Sequence, residues 1–356
     1  MKKNSNMTQA VTRARTPDPS DPIQISGAAA GYSRRSVLAD LDLYVPAGSV
    51  TALLGVNGVG KSTLLRVLTG ELPAKSGEVR VLGRDPRRET HALLREIGYV
   101  PDRIELPTWM RIQDHMRLLA PLYPTWDAAE VRRLCTLFEL DPKQPYRDLS
   151  RGQRVLENLA MALAHRPKLL LLDEPFAGLD PLSRRRVIDG VFEHLGEEAG
   201  SLDAGHAFDP GEHPTVFFAS HGLQVIERCA DRVALLSDGA CIVNTSLEDL
   251  QQRSTRLLVR RSSADAWIPP GAPIIEGQAA DSSDSRETVL YYADLAPETL
   301  NAILEALEDR DDVEAVLELD RNLEDLFLAI GACSKDLDRS LNPAPDFGAQ
   351  LTEARS

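Results

Sequence analysis

Residues Gly55-Val-Asn57-Gly58-Val-Gly60-Lys61-Ser62 satisfy the pattern G-x-x-x-x-G-K-[ST] at every fixed position. An uninterrupted apolar run, Val50 to Leu54, precedes it, and leucines at helical spacing follow it from Leu64 to Leu68. Strand, glycine-rich turn and helix in this order are the setting in which a phosphate-binding loop occurs. The stretch therefore predicts a nucleotide site in an α/β domain; a glycine loop that only turns the chain is the alternative.

Each residue type in this loop has a chemical reason. Glycines allow several backbone N–H groups to converge on phosphate oxygens, and the positive end of the following helix faces the anion. The Lys61 ammonium is expected between the β- and γ-phosphates, and the Ser62 hydroxyl is expected to bind Mg²⁺. The residues predicted here to contact ATP are Gly55, Asn57, Gly58, Gly60, Lys61, Ser62 and Thr63.

A second apolar run, Leu169 to Leu172, leads into the carboxylates of Asp173 and Glu174. Buried strands often end in carboxylates, so the pair gains its meaning from the phosphate-binding loop that precedes it. Asp173 is expected to hold Mg²⁺ through water, and Glu174 is expected to act as the general base toward the attacking water. The two segments together predict an ATPase with catalytic residues Lys61 and Glu174.

Length and composition limit the number of folded units and the kinds of partner to be expected. The chain has 356 residues, of which 43% are hydrophobic, and this predicts two folded units with a sizeable core. A net charge of −14 argues against a protein whose main task is to bind nucleic-acid phosphates, so no nucleic-acid partner is expected. Four scattered cysteines without a C-x-x-C pair predict neither a disulfide framework nor a zinc site, as in a cytoplasmic chain.

No stretch reaches the roughly 18 apolar residues of a spanning helix, and Met1 to Ser20 lacks the apolar segment of a signal peptide. The chain is therefore not expected to enter a membrane by itself. Several Lys and Arg residues precede the first acidic residue, Asp18. The arm they occupy is either a disordered tail or a segment that touches anionic lipid.

Between the two nucleotide segments lies Leu149-Ser150-Arg151-Gly152-Gln153, and here the chain resembles the ATP-binding cassette (ABC) family, over about Ile23 to Ser246. The resemblance implies an α/β P-loop NTPase fold with a helical subdomain that carries this signature. It also implies that Ser150, Gly152 and Gln153 contact ATP held by an opposite subunit, so that two chains enclose two ATP molecules. A helix N-cap at Ser150 is the alternative interpretation.

Three further positions match elements of the family. Tyr32 matches the aromatic that stacks on adenine, with a packing tyrosine as the alternative. Asp180, in Ala177-Gly-Leu-Asp180, matches the loop that communicates across the dimer. His221 follows an apolar run and matches the histidine that contacts the γ-phosphate and orients the catalytic water; a structural histidine is the alternative.

Two positions depart from the family pattern. Asp102 stands where the family commonly has a glutamine that binds Mg²⁺ and links the nucleotide to the membrane partner. A carboxylate can also bind a hard cation, so Asp102 is kept as a predicted metal ligand beside Ser62 and Asp173. Arg151 replaces the first glycine of the signature, and it either adds a cation near the opposite γ-phosphate or points to solvent.

The predicted organisation has four parts: a disordered arm 1–21, an ABC nucleotide-binding domain 22–247 with a helical subdomain at about 103–165, a small α/β C-terminal domain 248–334, and a disordered tail 335–356. Uninterrupted apolar strands predict a parallel sheet covered on both faces. The last domain is expected to end in a helix at Leu323 to Ile330. Residues 196–214 are expected to form a surface loop, unless His206 and His213 with His194 bind a metal.

With one phosphate-binding loop and no spanning segment, the chain is expected to pair with a second ATP-binding subunit and with membrane-spanning permease subunits at the cytoplasmic face of the membrane. Tyr123 to Asp127 and Asn322 to Leu328 resemble ATPases of bacterial ABC-2-type exporters. Trp109 and Trp126 either receive a partner or pack in the core. The rival interpretation is a soluble regulatory ATPase acting on ribosomes or nucleic acid, and a third is a sensor that binds ATP without hydrolysing it.

Overall fold

The computed structural model describes residues 18–33, 35–103, 106–194, 214–252, 254–262, 275–278, 287–292 and 297–319. The chain divides into two compact units, Met1–Gln252 and Arg253–Ser356. The strands of the first unit are β1 (Ile23–Ala30), β2 (Leu38–Val45), β3 (Val50–Leu54), β4 (Ser76–Val81), β5 (Ile97–Val100), β6 (Leu169–Asp173), β7 (Thr215–Ala219), β8 (Arg232–Ser237) and β9 (Ala240–Ser246). Its helices are α1 (Lys61–Leu68), α2 (Thr90–Leu94), α3 (Ile112–Leu119), α4 (Ala128–Leu137), α5 (Arg151–Leu163), α6 (Pro181–His194), α7 (Leu223–Cys229) and α8 (Leu247–Gln252).

A six-stranded sheet forms the centre of the first unit, in the order β5-β6-β7-β3-β8-β9. All neighbours pair in parallel except β8 and β9, which are antiparallel. The strands β3, β6 and β7 are buried along their whole length, which explains their continuous apolar sequences. Their carboxyl ends lie side by side, and the phosphate-binding loop, Glu174 and His221 all follow at this edge.

A second, antiparallel sheet, in the order β2-β1-β4, carries the first two strands of the chain. Its strands alternate between buried and exposed positions along much of their length, as expected when one face packs on a core and the other meets solvent. The sequence did not show that these strands form a separate sheet. One buried cluster joins this sheet to α1 and the central sheet, with Ile23, Leu41, Leu64, Leu171 and Phe217 among its members.

The predicted helical subdomain contains α3, α4 and α5. Asp127 accepts hydrogen bonds from the backbone N–H groups of Ala129 and Glu130 and so caps α4. Leu134, Phe138 and Leu159 are buried between these helices and α6. Trp109 is 73% exposed, so the alternative of core packing is wrong for this tryptophan, whereas Trp126 stacks on Tyr123 and is half-buried.

The second unit contains a four-stranded antiparallel sheet and one described helix. The sheet has the order β11-β12-β10-β13. Its elements are β10 (Thr255–Arg261), β11 (Ile275–Gln278), β12 (Glu287–Tyr292), α9 (Pro297–Glu308) and β13 (Val313–Glu318). Leu257, Val259 and Leu290 of the sheet pack with Ile303 and Leu307 of α9 in a separate core.

Some predicted features lie outside the described residues: the greater part of the arm, the 196–214 loop with His206 and His213, the helix at Leu323 to Ile330 and the 335–356 tail. The side chain of His194 is also outside them. Residues 18–21, which the sequence analysis places in the arm, form a turn in which Asp21 is buried. Among the described residues, no helix combines the length and the apolar character that crossing a bilayer requires.

Candidate nucleotide site

The phosphate-binding loop connects the carboxyl end of β3 to the first residue of α1. Gly60 has φ 121, a region that disfavours any side chain, and a Cβ there would come within 2.8 Å of Leu38 Cδ2. The first turn of α1 contains no acidic residue, and no side chain caps it among the described residues. Its backbone N–H groups are therefore available to an anion, as the predicted contacts of this loop require.

Lys61 lies under the loop with its side chain buried. Its Nζ donates a hydrogen bond of 2.7 Å to the Gly55 carbonyl oxygen and is 3.3 Å from Glu174 Oε1. The ammonium therefore already spans the distance between the loop and the carboxylate that follows β6.

Glu174 is the centre of the site. Its second oxygen, Oε2, is 2.8 Å from His221 Nδ1. An ionised carboxylate only accepts, so in that state Nδ1 carries the proton of this bond. The side chain of Glu174 is 14% exposed, while that of His221 is 59% exposed. A carboxylate in this position has one cation on one side, a histidine on the other and access to water.

The backbone of Glu174 is itself unusual. Its φ is 51, in the left-handed region, which is costly for a residue with a side chain. The Glu174 N–H donates to the Ala219 carbonyl oxygen at 3.0 Å, which ties this strained residue to the end of β7. The central sheet therefore fixes where the carboxylate points, as is common for strained residues at functional sites.

Asp173, the last residue of β6, is the most deeply buried carboxylate among the predicted metal ligands. It is 4% exposed, and its Oδ1 is buried without a hydrogen-bond partner among the described residues. Burial raises the pKa of this carboxyl, the neighbouring Asp102 and Glu174 add to the rise, and a hydrogen bond to Ser62 and the charge of Lys61 oppose it. A buried carboxylate oxygen without a partner, beside a hydroxyl, fits a divalent cation such as Mg²⁺.

Asp102 follows β5 and is more exposed than Asp173. Its Oδ1 is 4.0 Å from Arg151 Nη2, and its Oδ2 is 3.9 Å from Arg103 Nε. The two positions at which the chain departs from the family pattern are thus neighbours. The Arg151 side chain faces a carboxylate of its own subunit, which is a third possibility beside the two considered from the sequence.

The signature residues lie at the start of α5. Ser150 Oγ accepts from the Gln153 N–H at 3.2 Å, and Gln153 Oε1 accepts from the Ser150 N–H at 2.9 Å. This reciprocal pair is a capping box, so the N-cap interpretation of Ser150 is confirmed. Ser150 remains exposed, and its cap therefore leaves it accessible to a ligand.

Gly152 lies where α5 approaches α6, and Asp180 caps the start of α6. A Cβ on Gly152 would meet Ser183 Oγ at 2.7 Å, so glycine permits the close approach of the two helices. Asp180 Oδ1 accepts from the Leu182 and Ser183 N–H groups, both at 3.0 Å, and Oδ2 accepts from Ser183 Oγ at 2.6 Å. These bonds cap α6 and, led by the Ser183 hydroxyl, lower the pKa of Asp180.

Tyr32 follows β1 and is 44% exposed, so it is not a core-packing tyrosine. Its hydroxyl accepts a hydrogen bond of 2.8 Å from Arg66 Nη1. Sequence reasoning missed Arg66, and also Ser183, because neither belongs to a motif. The structure thus brings Lys61, Ser62, Asp173, Glu174 and His221 into one site, while the signature residues form a second surface with the start of α6.

Comparisons with known proteins identify the family of the chain. The family model described as ABC transporter matches residues 38–177, and a model for an AAA domain matches residues 136–227. An aliphatic sulfonates import ATP-binding protein of Pseudomonas aeruginosa is 33% identical over 241 residues, which cover 65% of this chain and 78% of that protein. A bacitracin transport ATP-binding protein of Enterococcus faecalis is 26% identical over 227 residues, covering 63% and 69%.

Among solved structures, the ATP-binding subunit of an ABC transporter superposes with a TM-score of 0.56 at 24% identity, covering 65% of this chain and 92% of that one. This likeness shows the fold. The match to the sulfonates import ATP-binding protein, at 33% identity over 78% of that protein, shows the family, whose members bind and hydrolyse ATP. The chain belongs to the ABC transporter family, as an ATP-binding and ATP-hydrolysing subunit.

Proposed function

We propose that this chain closes as a dimer around two ATP molecules and drives membrane-spanning subunits that export a cargo. The observation that carries the proposal is the position of Glu174, held between Lys61 and His221 at the carboxyl end of β6. Glu174 can act as the base, Lys61 supplies a cation and His221 lies beside the carboxylate. Hydrolysis of a phosphoanhydride beside a phosphate-binding loop needs groups of these kinds.

The site residues act in a definite order. The ATP phosphates draw the Lys61 ammonium away from Glu174, which then becomes free to accept a proton. As the water oxygen bonds to the γ-phosphorus, Glu174 takes one proton of that water, and the bond from the γ-phosphorus to the bridging oxygen breaks to leave ADP and phosphate. His221 fixes the carboxylate through Nδ1. Mg²⁺ held by Ser62 and Asp173, with Asp102 nearby, would neutralise phosphate charge.

Dimer formation is supported by the exposed start of α5. Ser150 is exposed beside Gly152 and Gln153, and none of these three contributes to the P-loop of its own subunit in the hydrogen bonds described. We infer that this surface, with Asp180, faces the ATP bound by a second copy or a related chain. ATP then joins the phosphate-binding loop of one subunit to the α5 surface of the other, and hydrolysis separates them.

A membrane partner is supported by exposed apolar side chains in the helical subdomain. Trp109, Leu118 and Leu122 are 73%, 53% and 58% exposed within one short stretch of chain. Contiguous exposed apolar patches often mark interaction sites. We infer that they receive a permease at the cytoplasmic face of the membrane. Export rests on the resemblance of Tyr123 to Asp127 to ABC-2-type exporters.

The test uses Glu174→Gln, with Glu78→Gln as matched control because Glu78 is an exposed glutamate on β4 that pairs with Arg80. Glu174→Gln should retain ATP binding, lose at least about 100-fold in turnover as expected for a catalytic base, and accumulate as an ATP-dependent dimer in analytical ultracentrifugation. Glu78→Gln should match the parent protein. Unchanged turnover in Glu174→Gln would refute the assignment of the base.

The same trapped variant identifies the partner. Purified with ATP from detergent-solubilised membranes of its native cell, it should carry a multi-spanning protein with it. Recovery of ribosomal or nucleic-acid components without a membrane protein would instead establish a soluble regulatory ATPase.

A further inference from the structure

The Tyr32 side chain is exposed. An exposed aromatic ring binds a base more tightly when its orientation is fixed before the base stacks on it. We propose that Arg66 and Lys75 are positioning residues that hold Tyr32 for the base, so that α1 sets the place of both the phosphates and the adenine. This inference rests on the proposed function, because it assumes that ATP binds at this loop.

Arg66 supplies the contact to the side chain. Its Nη1 donates a hydrogen bond of 2.8 Å to the Tyr32 hydroxyl, and its Nε is 3.8 Å from Glu71 Oε1. Arg66 belongs to α1, the helix that begins with Lys61 of the phosphate-binding loop. Since one rigid helix carries both residues, the distance from the bound phosphates to the Tyr32 ring is determined within a single element.

Lys75 supplies the contact to the backbone. Its Nζ donates hydrogen bonds of 3.0 Å to the carbonyl oxygens of both Ser33 and Arg35. Ser33 has φ 49, a conformation that costs energy for a residue with a side chain. The Lys75 N–H also donates to the Ala29 carbonyl oxygen at 2.7 Å, so Lys75 is anchored to β1 just before the loop.

The two cations act on different parts of the same loop. Arg66 holds the Tyr32 ring by its hydroxyl, and Lys75 holds the carbonyl groups of Ser33 and Arg35, which follow Tyr32 in the chain. An exposed aromatic side chain that is free to rotate loses rotamer freedom when a base stacks on it, and this loss weakens binding. A ring whose orientation is already fixed loses little rotamer freedom when the base binds. The contribution of the base to ATP affinity should therefore depend on Arg66, while the contribution of the phosphates should not.

The experiment compares the dissociation constants of ATP and inorganic tripolyphosphate, which lacks the base, by isothermal titration calorimetry on the full chain with Mg²⁺. Arg66→Met should weaken ATP binding about 2- to 10-fold, the range expected from freeing one side chain, and leave tripolyphosphate binding unchanged. Tyr32→Phe keeps the ring and removes the hydroxyl, so it should show a similar loss, and the double variant should be no weaker than either single one. Arg66→Lys should recover part of the loss.

Two further variants complete the test. Lys75→Met should also weaken ATP and spare tripolyphosphate. Arg80→Met, which removes an exposed arginine of β4 that pairs with Glu78, should change neither. In steady-state hydrolysis Arg66→Met should raise KM for ATP and leave kcat unchanged, a split that general damage to the fold would not produce.

Equal weakening of ATP and tripolyphosphate in Arg66→Met would overturn the inference, since Arg66 would then act on the phosphates or on the fold. Additive losses in the double variant would overturn it as well, because the two residues would then act independently. If the parent protein bound neither ligand, the proposed function would fail first, and this would be evident before any variant was compared.

Discussion

The Arg151 side chain contacts two segments of the chain outside its own helix. Its guanidinium is 4.0 Å from Asp102 and packs over Gly178, where a Cβ would come within 2.8 Å of Nη1. It therefore touches the segment after β5 and the loop before α6 from the start of α5. The positive charge of Arg151 and the negative charge of Asp102 compensate each other at the two positions that depart from the family pattern. Because both side chains are well exposed, the free energy of this interaction is small.

A double-mutant cycle measures this pair. Asp102→Asn, Arg151→Gln and the double variant should give a coupling free energy of about 0.2–1 kcal/mol in urea unfolding, as for exposed ion pairs. The coupling should shrink in high salt, because salt screens exposed charges. Arg103→Gln in the same cycle serves as control and should couple less, since Arg103 is 93% exposed. Strictly additive effects at low salt would show that Asp102 does not hold Arg151.

At the scale of elements, α5 determines how the helical subdomain is placed. Its first turn is fixed by the capping box of Ser150 and Gln153, and Gly152 allows close packing on α6. Further along, Glu157 is buried and lies 2.5 Å from His115 Nδ1 of α3. Tyr146 contacts the His115 ring edge to face. The helix that presents the signature is thus anchored by a fully buried polar pair.

Breaking this pair should be costly. His115→Ala should destabilise the protein by about 3–5 kcal/mol, because it leaves the Glu157 carboxylate buried without its partner. Replacing both residues by leucine should recover most of that loss, since no charge then remains inside. Urea unfolding measures both changes. Arg117→Ala, which breaks an exposed pair with Asp114, is the control and should cost less than about 1 kcal/mol; an equal cost for both single variants would contradict a special role of the buried pair.

At the scale of the whole molecule, the two units have hydrophobic clusters that share no residue among the residues the structure describes. The first unit has an extensive buried cluster that includes Leu64 and Phe217, whereas the described core of the second unit centres on Leu257, Leu290 and Leu307. A smaller core buries less apolar surface per residue and supports less stability. The two units are therefore expected to unfold separately, with the second unit first.

Two core substitutions test this expectation. Leu307→Ala should lower the midpoint of the first urea transition and leave the second in place, while Leu64→Ala should do the reverse. Each should cost about 2–5 kcal/mol in its own unit, because a buried leucine is truncated. Circular dichroism for the whole chain, together with ATP binding for the first unit, separates the two transitions. A single transition shifted equally by both variants would show that the units unfold as one.

Features that depend on the local order of residues could be predicted from the sequence alone. Strand, glycine loop and helix around Lys61 were predictable because backbone conformation and phosphate chemistry restrict the residues at neighbouring positions. The buried strand before Asp173 was predictable from the sequence because a strand covered on both faces is apolar throughout. A small α/β C-terminal domain was predicted for the second unit, and the complete motifs sufficed to predict ATP as ligand.

Contacts between residues that are distant in the sequence became known from the three-dimensional packing. Arg66 reaches Tyr32, Asp102 lies beside Arg151, and Glu157 pairs with His115, each across a long stretch of chain. Periodicity shows that a residue is on a buried or exposed face, but it does not show what lies opposite. Side-chain partners depend on how sheets and helices pack in three dimensions, and for that reason the positioning of Tyr32 and the environment of Arg151 could not be derived from the sequence.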